Sequence, residues 1–324
     1  VILHFECLGG IEFKTGLYYE PEACCAHTGA GDLFVWRADK LLTDFPKLPG
    51  LYYDICEGRL CWNTLHGCGG TDAFGNAYGS SNLLTHRDYF IRLKRVLEKH
   101  GKDKVLFLHA HNRFSPFTHG IGDYWLPGEQ YADAITQNPE HFYCENIPAG
   151  EYQSAYYTPI HGSGVVFMSV YQITMWRLKL KENYYAPRYA LSMLTPALLH
   201  DMNISNCYIN HKTVERWWII KHDINLADAK FHGYWFSGAV RSDSGKVYVS
   251  WYEWEKPSPY SRLLIVGNTG RKEQPAALKI DWKKLGLAPE KARLHDLWEN
   301  REISSLDSLR VKGNNFLLIG ITAK

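Results

Sequence analysis

The sequence lacks the features that would place it in a special class of proteins. It has no run of about 18 apolar residues, so no membrane-spanning helix is expected. Its 36 Lys and Arg nearly balance its 34 Asp and Glu, and no basic run occurs, which argues against a nucleic-acid or anionic-membrane surface. Internal repeats and low-complexity tracts are missing as well. The eight Cys are too few for a disulfide scaffold, although they permit one or two bridges.

Aromatic residues, in contrast, are abundant. The 324 residues include 11 Trp and 21 Tyr, whose flat faces suit stacking against sugar rings or nucleobases. Most such side chains fill protein cores and interfaces, so their number alone does not assign a ligand. The remaining composition, with 45% hydrophobic and 22% charged residues, is that of a folded globular chain.

The first two thirds of the sequence alternate strand-like and helix-like segments, which is typical of parallel βα units. The pattern predicts, in chain order, strand 1–7, helix 34–45, strand 51–55, helix 85–100, strand 104–110, helix 128–136, strands 141–145 and 165–169, and helix 189–200. Short β segments separated by turn signals then follow from about residue 227 to the end. They predict a β-sandwich.

The sequence thus predicts an α/β fold with a (β/α)8-type barrel portion over residues 1–226, followed by an all-β C-terminal sandwich over residues 227–324. A full barrel takes about 250 residues and eight strands, more than the α/β portion offers. We therefore expect only the later strands of the barrel in this chain; the alternative is that the α/β portion is not a barrel. The first strands are expected in a preceding segment or in a second chain.

One acidic residue ends a predicted strand in "LYYD". Side chains alternate along a strand, so Tyr52 and Asp54 share one face while Leu51 and Tyr53 share the other. The apolar face suits packing against helices, and Asp54 then points into the barrel at the carboxyl end, where barrel enzymes keep their catalytic groups. We predict Asp54 as a catalytic carboxylate with Tyr52 beside the substrate. The alternative is an Asp that caps a turn.

The next strand, in "KVLFLHAH", places His109 and His111 on the same face as Phe107. We predict that both histidines bind sugar hydroxyls or tune a neighbouring carboxylate. The alternatives are hydrogen-bonded residues at the barrel rim, or ligands of a metal-dependent hydrolase. The chain after His111 is too short for the seven βα units that such a hydrolase would need there.

Hydrolysis of a glycosidic bond generally needs two carboxyl groups. The segment "HGIGDYWLPGEQYADA" supplies Asp123 and Glu129 on either side of Trp125, and Glu145 follows in "HFYCENIPAGEY". Glu129 and Asp123 rank ahead of Glu145 as general acid or base, and Trp125 and Glu145 are predicted to contact substrate. Glu129 could instead interact with the dipole of the helix that it begins.

A cysteine-rich loop follows Asp54. Cys56, Cys61, His66 and Cys68 are zinc-competent residue types, but their spacing is not that of a C-x2-C knuckle. Free thiols, a disulfide and a metal are the alternatives, and we expect no metal and no cofactor. Cys56 is predicted to neighbour the active site without acting as a ligand.

Several segments together resemble a bacterial group of glycoside hydrolases near family 123. They are "LYYDICEGRLCWNTLHGCGGTDAFG", "HRDYFIRLKRVLEKHG", "HAHNRFSPFTHGIGDYWLPGEQY", "TPALLHDMN" and "VGNTGRKEQPAALKIDWKKLGL", within residues 35–324. The last segment is also similar to the C-terminal sandwich of α-galactosidase-like and α-N-acetylgalactosaminidase-like enzymes. The resemblance implies a glycosidase that degrades polysaccharides.

Family 123 enzymes use an adjacent Asp-Glu pair, and this sequence contains no Asp-Glu dipeptide. The α-N-acetylgalactosaminidase-like layout, with an Asp nucleophile at a strand end, suits Asp54 better. We therefore expect a retaining glycosidase with a carbohydrate substrate, Asp54 as nucleophile and Glu129 or Asp123 as acid/base. A non-catalytic carbohydrate-binding protein on the same fold is the alternative. Glycan degradation favours a periplasmic or secreted location.

Overall fold

The computed structural model of the chain describes residues 4–5, 25, 27–54, 56, 60–81, 83–109, 115–157, 162–171, 186–236, 238–256 and 259–323. The chain forms two compact units. The first unit consists of residues 1–127 and 158–166, and the second consists of residues 128–157 and 167–324. No helix in these described ranges is long and apolar enough to cross a membrane.

The first unit is built on a parallel β-sheet with helices. Its strands are β1 (His4–Phe5), β2 (Gly50–Tyr53), β3 (Leu60–Cys61), β4 (Gly69–Thr71), β5 (Ala77–Ser81), β6 (Val105–His109), β7 (Tyr124–Leu126) and β8 (Gly164–Phe167, whose last residue belongs to the second unit). Its helices are α1 (Gly29–Asp44) and α2 (Leu83–His100), with 3-10 turns at Thr64–His66 and His119–Ile121. The sheet order is β1–β2–β6–β7–β8, and each pairing is parallel.

An apolar layer joins α1 and α2 to one face of this sheet. Thr28 caps α1, because its hydroxyl accepts a hydrogen bond from the Ala30 N–H at 3.3 Å. The buried side chains of this layer are Ala38, Leu42, Leu51, Cys56, Tyr89, Phe90, Leu93, Leu97, Leu106 and Leu108. Since Leu51, Leu106 and Leu108 face the helices, the alternate residues of β2 and β6 face the opposite side of the sheet.

A small antiparallel sheet in the order β3–β5–β4 follows β2 along the chain. Its β4–β5 turn is closed by Asp72, whose carboxylate accepts hydrogen bonds from the Phe74 and Asn76 N–H groups. Those hydrogen bonds, led by Asn76, lower the pKa of Asp72. We call residues 60–81 the cysteine lobe. Cys68 is the one buried residue in it.

The second unit contains the longer antiparallel strands. Its strands are β9 (Asn203–Ile204), β10 (Ala229–His232), β11 (Val240–Ser242), β12 (Val247–Trp254), β13 (Arg262–Asn268), β14 (Gln274–Pro275), β15 (Leu278–Ile280), β16 (Ala292–Asp296), β17 (Arg301–Ile303), β18 (Arg310–Val311) and β19 (Asn315–Ala323). Its helices are α3 (Ala132–Ile135), α4 (Phe142–Glu145), α5 (Ala149–Glu151), α6 (Pro187–Leu199), α7 (His211–Asp223) and α8 (Trp282–Leu285). Short 3-10 or π turns lie at Glu129–Tyr131, Tyr152–Tyr156, Leu226–Asp228 and Pro289–Lys291.

A six-stranded antiparallel sheet, β10–β12–β13–β19–β16–β17, is the main layer of this unit. On β12, Val247, Val249 and Trp251 point into an apolar core to which residues of β11, β15 and β18 contribute. On the opposite face, the Ser250 hydroxyl donates to the Leu199 carbonyl of α6 at 2.7 Å. The side chains of "VYVSWYEW" therefore alternate between two faces, and both faces of the strand are packed.

The predicted fold class is confirmed: the parallel sheet with its helices resembles part of a (β/α) barrel, and antiparallel β-structure follows it. The boundary between residues 226 and 227 stays a prediction, because the compact units divide the chain differently. Residues 141–145 were expected as a strand, whereas 142–145 form α4. Strand β7 lies between the predicted strand 104–110 and the predicted helix 128–136, where the sequence indicated no element, because its three residues are too short to show a strand period.

Candidate active site

Asp54 directly follows β2 at the carboxyl end of the parallel sheet. Its Oδ1 accepts a hydrogen bond from the Tyr52 hydroxyl at 3.2 Å and another from His109 Nδ1. The strand register brings the two together: Tyr53 pairs with Leu108, so Asp54 and His109 come next on neighbouring strands. Since a carboxylate oxygen only accepts, the ring proton of His109 lies on Nδ1. The predicted common face of Tyr52 and Asp54 is confirmed.

The face of the sheet that carries Asp54 is aromatic. Tyr52 packs edge-on against Phe107 with ring centroids 5.7 Å apart, and Phe107 contacts Tyr124 at 5.9 Å. Tyr52 also stacks with His109 at 6.2 Å. Three adjacent strands thus each contribute an aromatic ring to this face. Such rings provide flat apolar surface next to polar edges, which suits the faces of sugar rings.

Cys56 fixes the position of His109 from the helix-facing side of the sheet. The backbone N–H and the thiol of Cys56 both donate to the His109 carbonyl, at 3.0 and 2.9 Å. Cys56 Sγ also lies 3.2 Å from Nε2 of His119, and the Ser115 N–H donates to Nδ1 of the same ring at 2.7 Å. Because Nδ1 accepts, a neutral His119 carries its proton on Nε2 and donates it to the sulfur. Cys56 therefore neighbours the candidate site, as predicted.

Glu129 belongs to the second unit, where it begins the turn Glu129–Tyr131 three residues after β7 ends. The backbone before it is tightly constrained. Gly128 has φ +130°, and a Cβ at this position would overlap the carbonyl oxygen of Met168. The Gly128 N–H donates to Gln130 Oε1 at 2.7 Å. A close backbone approach and a side-chain hydrogen bond therefore hold the residues on both sides of Glu129.

A cluster of tyrosines and a glutamate follows Glu129 along the chain. The Tyr131 hydroxyl donates to Glu151 and lies 2.5 Å from the hydroxyl of Tyr156, which accepts a hydrogen bond from Gln130 at 2.8 Å. Burial raises the pKa of Tyr156 to about 12 and raises the pKa of Tyr131 further. Both phenols therefore stay protonated as donors. Glu151 was not among the predicted site residues, since its one signal in the sequence is its position in the tyrosine-rich segment "GEYQSAYY".

Asp123 takes a structural position instead of the expected place on a rim loop. It precedes β7, and its carboxylate accepts a hydrogen bond from the Leu106 N–H at 2.8 Å and pairs with Lys94 of α2 at 2.5 Å. The register of β6 and β7 places His109 opposite Leu126, and it places Leu106 level with Asp123. The first pair lies three residues further along both strands than the second. About 10 Å of strand therefore separates Asp123 from the level of Asp54, and Asp123 is not carried into the proposed site.

Trp125 also differs from its expected role. Its side chain is only 2% exposed and packs against His119 with ring centroids 5.7 Å apart. Because Trp125 pairs with Leu108, it shares the helix-facing side of the sheet. Tyr124, one residue earlier, occupies the face that carries Asp54. Side chains alternate faces at every residue of a strand, so Tyr124 and not Trp125 lies on the face of Asp54.

Glu145 lies at the end of α4 and forms an ion pair within the second unit. Arg271 donates to both carboxylate oxygens at 2.7 Å, and this contact lowers the pKa of Glu145 to about 2. The arrangement explains Glu145 as a structural carboxylate, and we do not retain it as a substrate contact. His111 lies outside the described residues, so its predicted role stays a prediction.

The cysteine lobe contributes to a cluster of possible metal ligands. The Sγ atoms of Cys25, Cys61 and Cys68 and a ring nitrogen of His66 all lie within 4.8 Å of one another. Burial and the neighbouring Cys25 thiol raise the pKa of Cys68 to about 11. Cys25 replaces Cys56 in the set that the sequence suggested. Among the described cysteines, Cys61, Cys68, Cys144 and Cys207 are free thiols.

A comparison with protein families found a match in the second unit. Residues 213–321 match the model of the glycoside hydrolase 123 C-terminal domain. The matched residues make up about a third of the chain. The similarity to this family lies in that segment of the second unit. The resemblance predicted from the sequence is confirmed, and a glycosidase is the enzyme class that goes with this domain. A search of the curated proteins found no match.

Solved structures of similar fold include two glycoside hydrolases. An α-amylase from Geobacillus thermoleovorans, solved with acarbose, is 8% identical with a TM-score of 0.54, over 95% of this chain and 67% of the amylase. A pullulanase from Anoxybacillus sp. LM18-11, solved with maltotriose, is 8% identical with a TM-score of 0.50, over 90% of this chain and 45% of the pullulanase. At this identity the likeness shows the fold alone. The chain spans less than half the length of the pullulanase.

Proposed function

We propose that this protein hydrolyses a glycosidic bond with retention of configuration, using Asp54 as the nucleophile and Glu129 as the general acid and base. The observation that carries the proposal is the setting of Asp54. Its carboxylate stands at the carboxyl end of a parallel strand and is oriented by Tyr52 and His109 on an aromatic face. In barrel enzymes this end of the sheet holds the catalytic groups.

The first step forms a covalent intermediate. A carboxylate oxygen of Asp54 bonds to the anomeric carbon while the bond from that carbon to the leaving oxygen breaks. The carboxylic acid of Glu129 gives its proton to the leaving oxygen, so that the departing sugar or aglycone leaves as a neutral alcohol. The hydrogen bonds that Asp54 accepts at Oδ1 hold the carboxylate plane in one orientation for the attack.

The second step releases the sugar. Glu129, now a carboxylate, takes a proton from water, and the water oxygen bonds to the anomeric carbon as the ester bond to Asp54 breaks. Asp54 and Glu129 thereby return to their starting states. The support for Glu129 is its position in the chain, three residues after the carboxyl end of β7, and the constrained glycine that precedes it.

The proposal is tested with a panel of nitrophenyl α- and β-glycosides of hexoses, pentoses and N-acetylhexosamines. Asp54→Asn should lower the turnover of the best substrate by about 10³-fold or more, because an amide is a poor nucleophile. Asp123→Asn is the matched control: it removes the same charge from a carboxylate bound to Lys94. It should retain turnover within a few-fold and lose about 1 kcal/mol of stability.

Two outcomes would contradict the proposal. One is an Asp54→Asn variant that keeps the wild-type rate. The other is saturable sugar binding by the wild type with no turnover of any glycoside or oligosaccharide that it binds, which is the behaviour of a carbohydrate-binding protein.

A further inference from the structure

We propose that Cys25, Cys61, His66 and Cys68 bind one structural zinc ion. The four residues come from two separate segments of the first unit. Cys25 precedes α1, whereas Cys61, His66 and Cys68 belong to the cysteine lobe. The site is independent of the proposed catalytic residues.

The distances between the ligand atoms suit tetrahedral zinc. With Zn–S bonds of about 2.3 Å and a Zn–N bond of about 2.0 Å, the edges of a tetrahedron are about 3.8 Å between two sulfurs and about 3.5 Å between sulfur and nitrogen. The Sγ atoms of Cys25 and Cys68 are 3.8 Å apart, and Cys61 Sγ lies 3.5 Å from His66 Nε2. The remaining edges are within 4.8 Å, so a small inward movement closes the shell.

The donor set selects zinc and a structural role. Three thiolates and one imidazole are soft to borderline ligands, which favour zinc over magnesium or calcium. Four protein ligands complete a tetrahedral shell and leave no position for a reacting water. Cys25 and Cys68 are buried, and Cys61 and His66 are partly buried, so the ligands lie beneath the surface of the lobe.

The cysteine lobe needs such a crosslink because it has almost no apolar core of its own. Cys68 is its one buried residue, while Leu65 is 95% and Phe74 is 90% exposed. Small substructures that cannot bury enough apolar surface are commonly stabilised by a metal or a disulfide. Hydrogen bonds within the lobe fix its backbone but bury no apolar surface. For example, the Cys68 carbonyl accepts a hydrogen bond from the Ser80 N–H at 2.7 Å.

The zinc ion would tie the lobe to the main body of the first unit. The Cys25 carbonyl accepts hydrogen bonds from the N–H and the hydroxyl of Thr28, the capping residue of α1. Helix α1 in turn packs on the parallel sheet through Ala38 and Leu42. On the lobe side, Gly67 adopts φ +78°, a left-handed turn that separates His66 from Cys68. The metal thus bridges a helix start and a strand turn that are otherwise far apart in the chain.

The first test measures metal content. Untagged protein, purified without chelator from zinc-supplemented cells, should contain about one zinc per chain by plasma mass spectrometry. Cys25→Ser and Cys68→Ser should each lower this content at least about five-fold, while Cys207→Ser, which removes an exposed thiol of the second unit, should leave it unchanged. Wild-type protein without zinc, another metal at stoichiometric level, or zinc retained by both ligand variants would overturn the proposal.

A second measurement uses the wild type alone, in case the ligand variants do not fold. Chelation should expose the 60–81 segment to limited proteolysis, and added Zn²⁺ should restore protection where Mg²⁺ does not. Replacement by Co²⁺ should give the intense visible absorption of a tetrahedral thiolate site. A mass spectrum showing a Cys25–Cys68 disulfide in the purified protein, or unchanged proteolysis after chelation, would overturn the proposal. Neither readout depends on glycosidase activity, so the two proposals can fail separately.

Discussion

A single carboxylate, that of Asp54, carries the chemical argument. Two donors on neighbouring strands converge on its Oδ1, and one of them, His109, is itself held through its carbonyl by Cys56. The side chain of Asp54 is 20% exposed, whereas that of His109 is 7% exposed. The carboxylate is therefore accessible from solvent while the group that orients it is buried, which is the arrangement expected of a positioned nucleophile.

Replacement of Glu129 should reveal a general acid/base. Glu129→Gln should lower turnover of unactivated glycosides by about 10²–10⁴-fold, because neither the leaving oxygen nor the attacking water then has a proton partner. With a dinitrophenyl glycoside, whose leaving group departs without a proton, added azide, which needs no general base, should restore release of the sugar as a glycosyl azide. Glu140→Gln is the matched control, since Glu140 is half exposed in the same unit. Failure of azide to accelerate the Glu129 variant would remove Glu129 from the mechanism.

Strand alternation made several features predictable from the sequence at the level of single elements. The sequence predicted β2, β6 and α2, and the aromatic and carboxylate face followed from the same alternation. Trp125 was misassigned because β7 is three residues long and shows no period. Helix α7 was not predicted. Asn210 caps it, because its side-chain oxygen accepts a hydrogen bond from the Thr213 N–H at 2.9 Å. An Asn just before a helix is a start signal that the sequence shows.

The cysteine group could not be predicted from spacing. Cys25 lies far from Cys61 in the sequence, and only the packing of α1 against the sheet brings it to the lobe. Cys56 lies next to the lobe in the sequence, but its thiol is directed to the His109 carbonyl. Metal ligands from separate elements leave no local pattern, in contrast to a C-x2-C knuckle.

The link between β7 and Glu129 depends on one glycine. Gly128→Ala should destabilise the protein by about 2 kcal/mol or more, because φ +130° is strained for Ala and the new Cβ overlaps the Met168 carbonyl. Gly120→Ala is the control, since nothing lies within 4 Å of a Cβ there. Thermal unfolding of both variants measures the difference. Equal midpoints for the two variants would show that the chain before Glu129 is not constrained in this way.

The stability of the whole molecule should depend on pH through a buried histidine. His200 is stacked on Tyr152 and Trp235, and burial lowers its pKa to about 4. Between pH 6.5 and 4 the unfolded chain binds a proton that folded His200 does not, so the free energy of unfolding falls as pH drops through this window. The loss is about 3 kcal/mol for a shift of this size.

Urea unfolding of wild type and His200→Gln at pH 7.5, 5.5 and 4.5 checks this dependence. The stability advantage of the wild type should be largest at pH 7.5 and should shrink toward pH 4.5. Glu145 provides an internal comparison with a separate window: Arg271 lowers its pKa to about 2, so its contribution is present above pH 4.5 and is lost between pH 4.5 and 2. A difference between wild type and His200→Gln that does not change with pH would contradict the account of His200.

The central claim for the molecule is that Asp54 forms a covalent bond to the sugar. The most direct test is labelling with the 2-deoxy-2-fluoro glycoside of the sugar that the nitrophenyl panel identifies, since the fluorine slows hydrolysis of the intermediate. Peptide mass mapping should then find one glycosyl unit on the peptide that contains Asp54, and the product of the unlabelled reaction should keep its anomeric configuration. A label on any other residue, or a product of inverted configuration, would contradict the account.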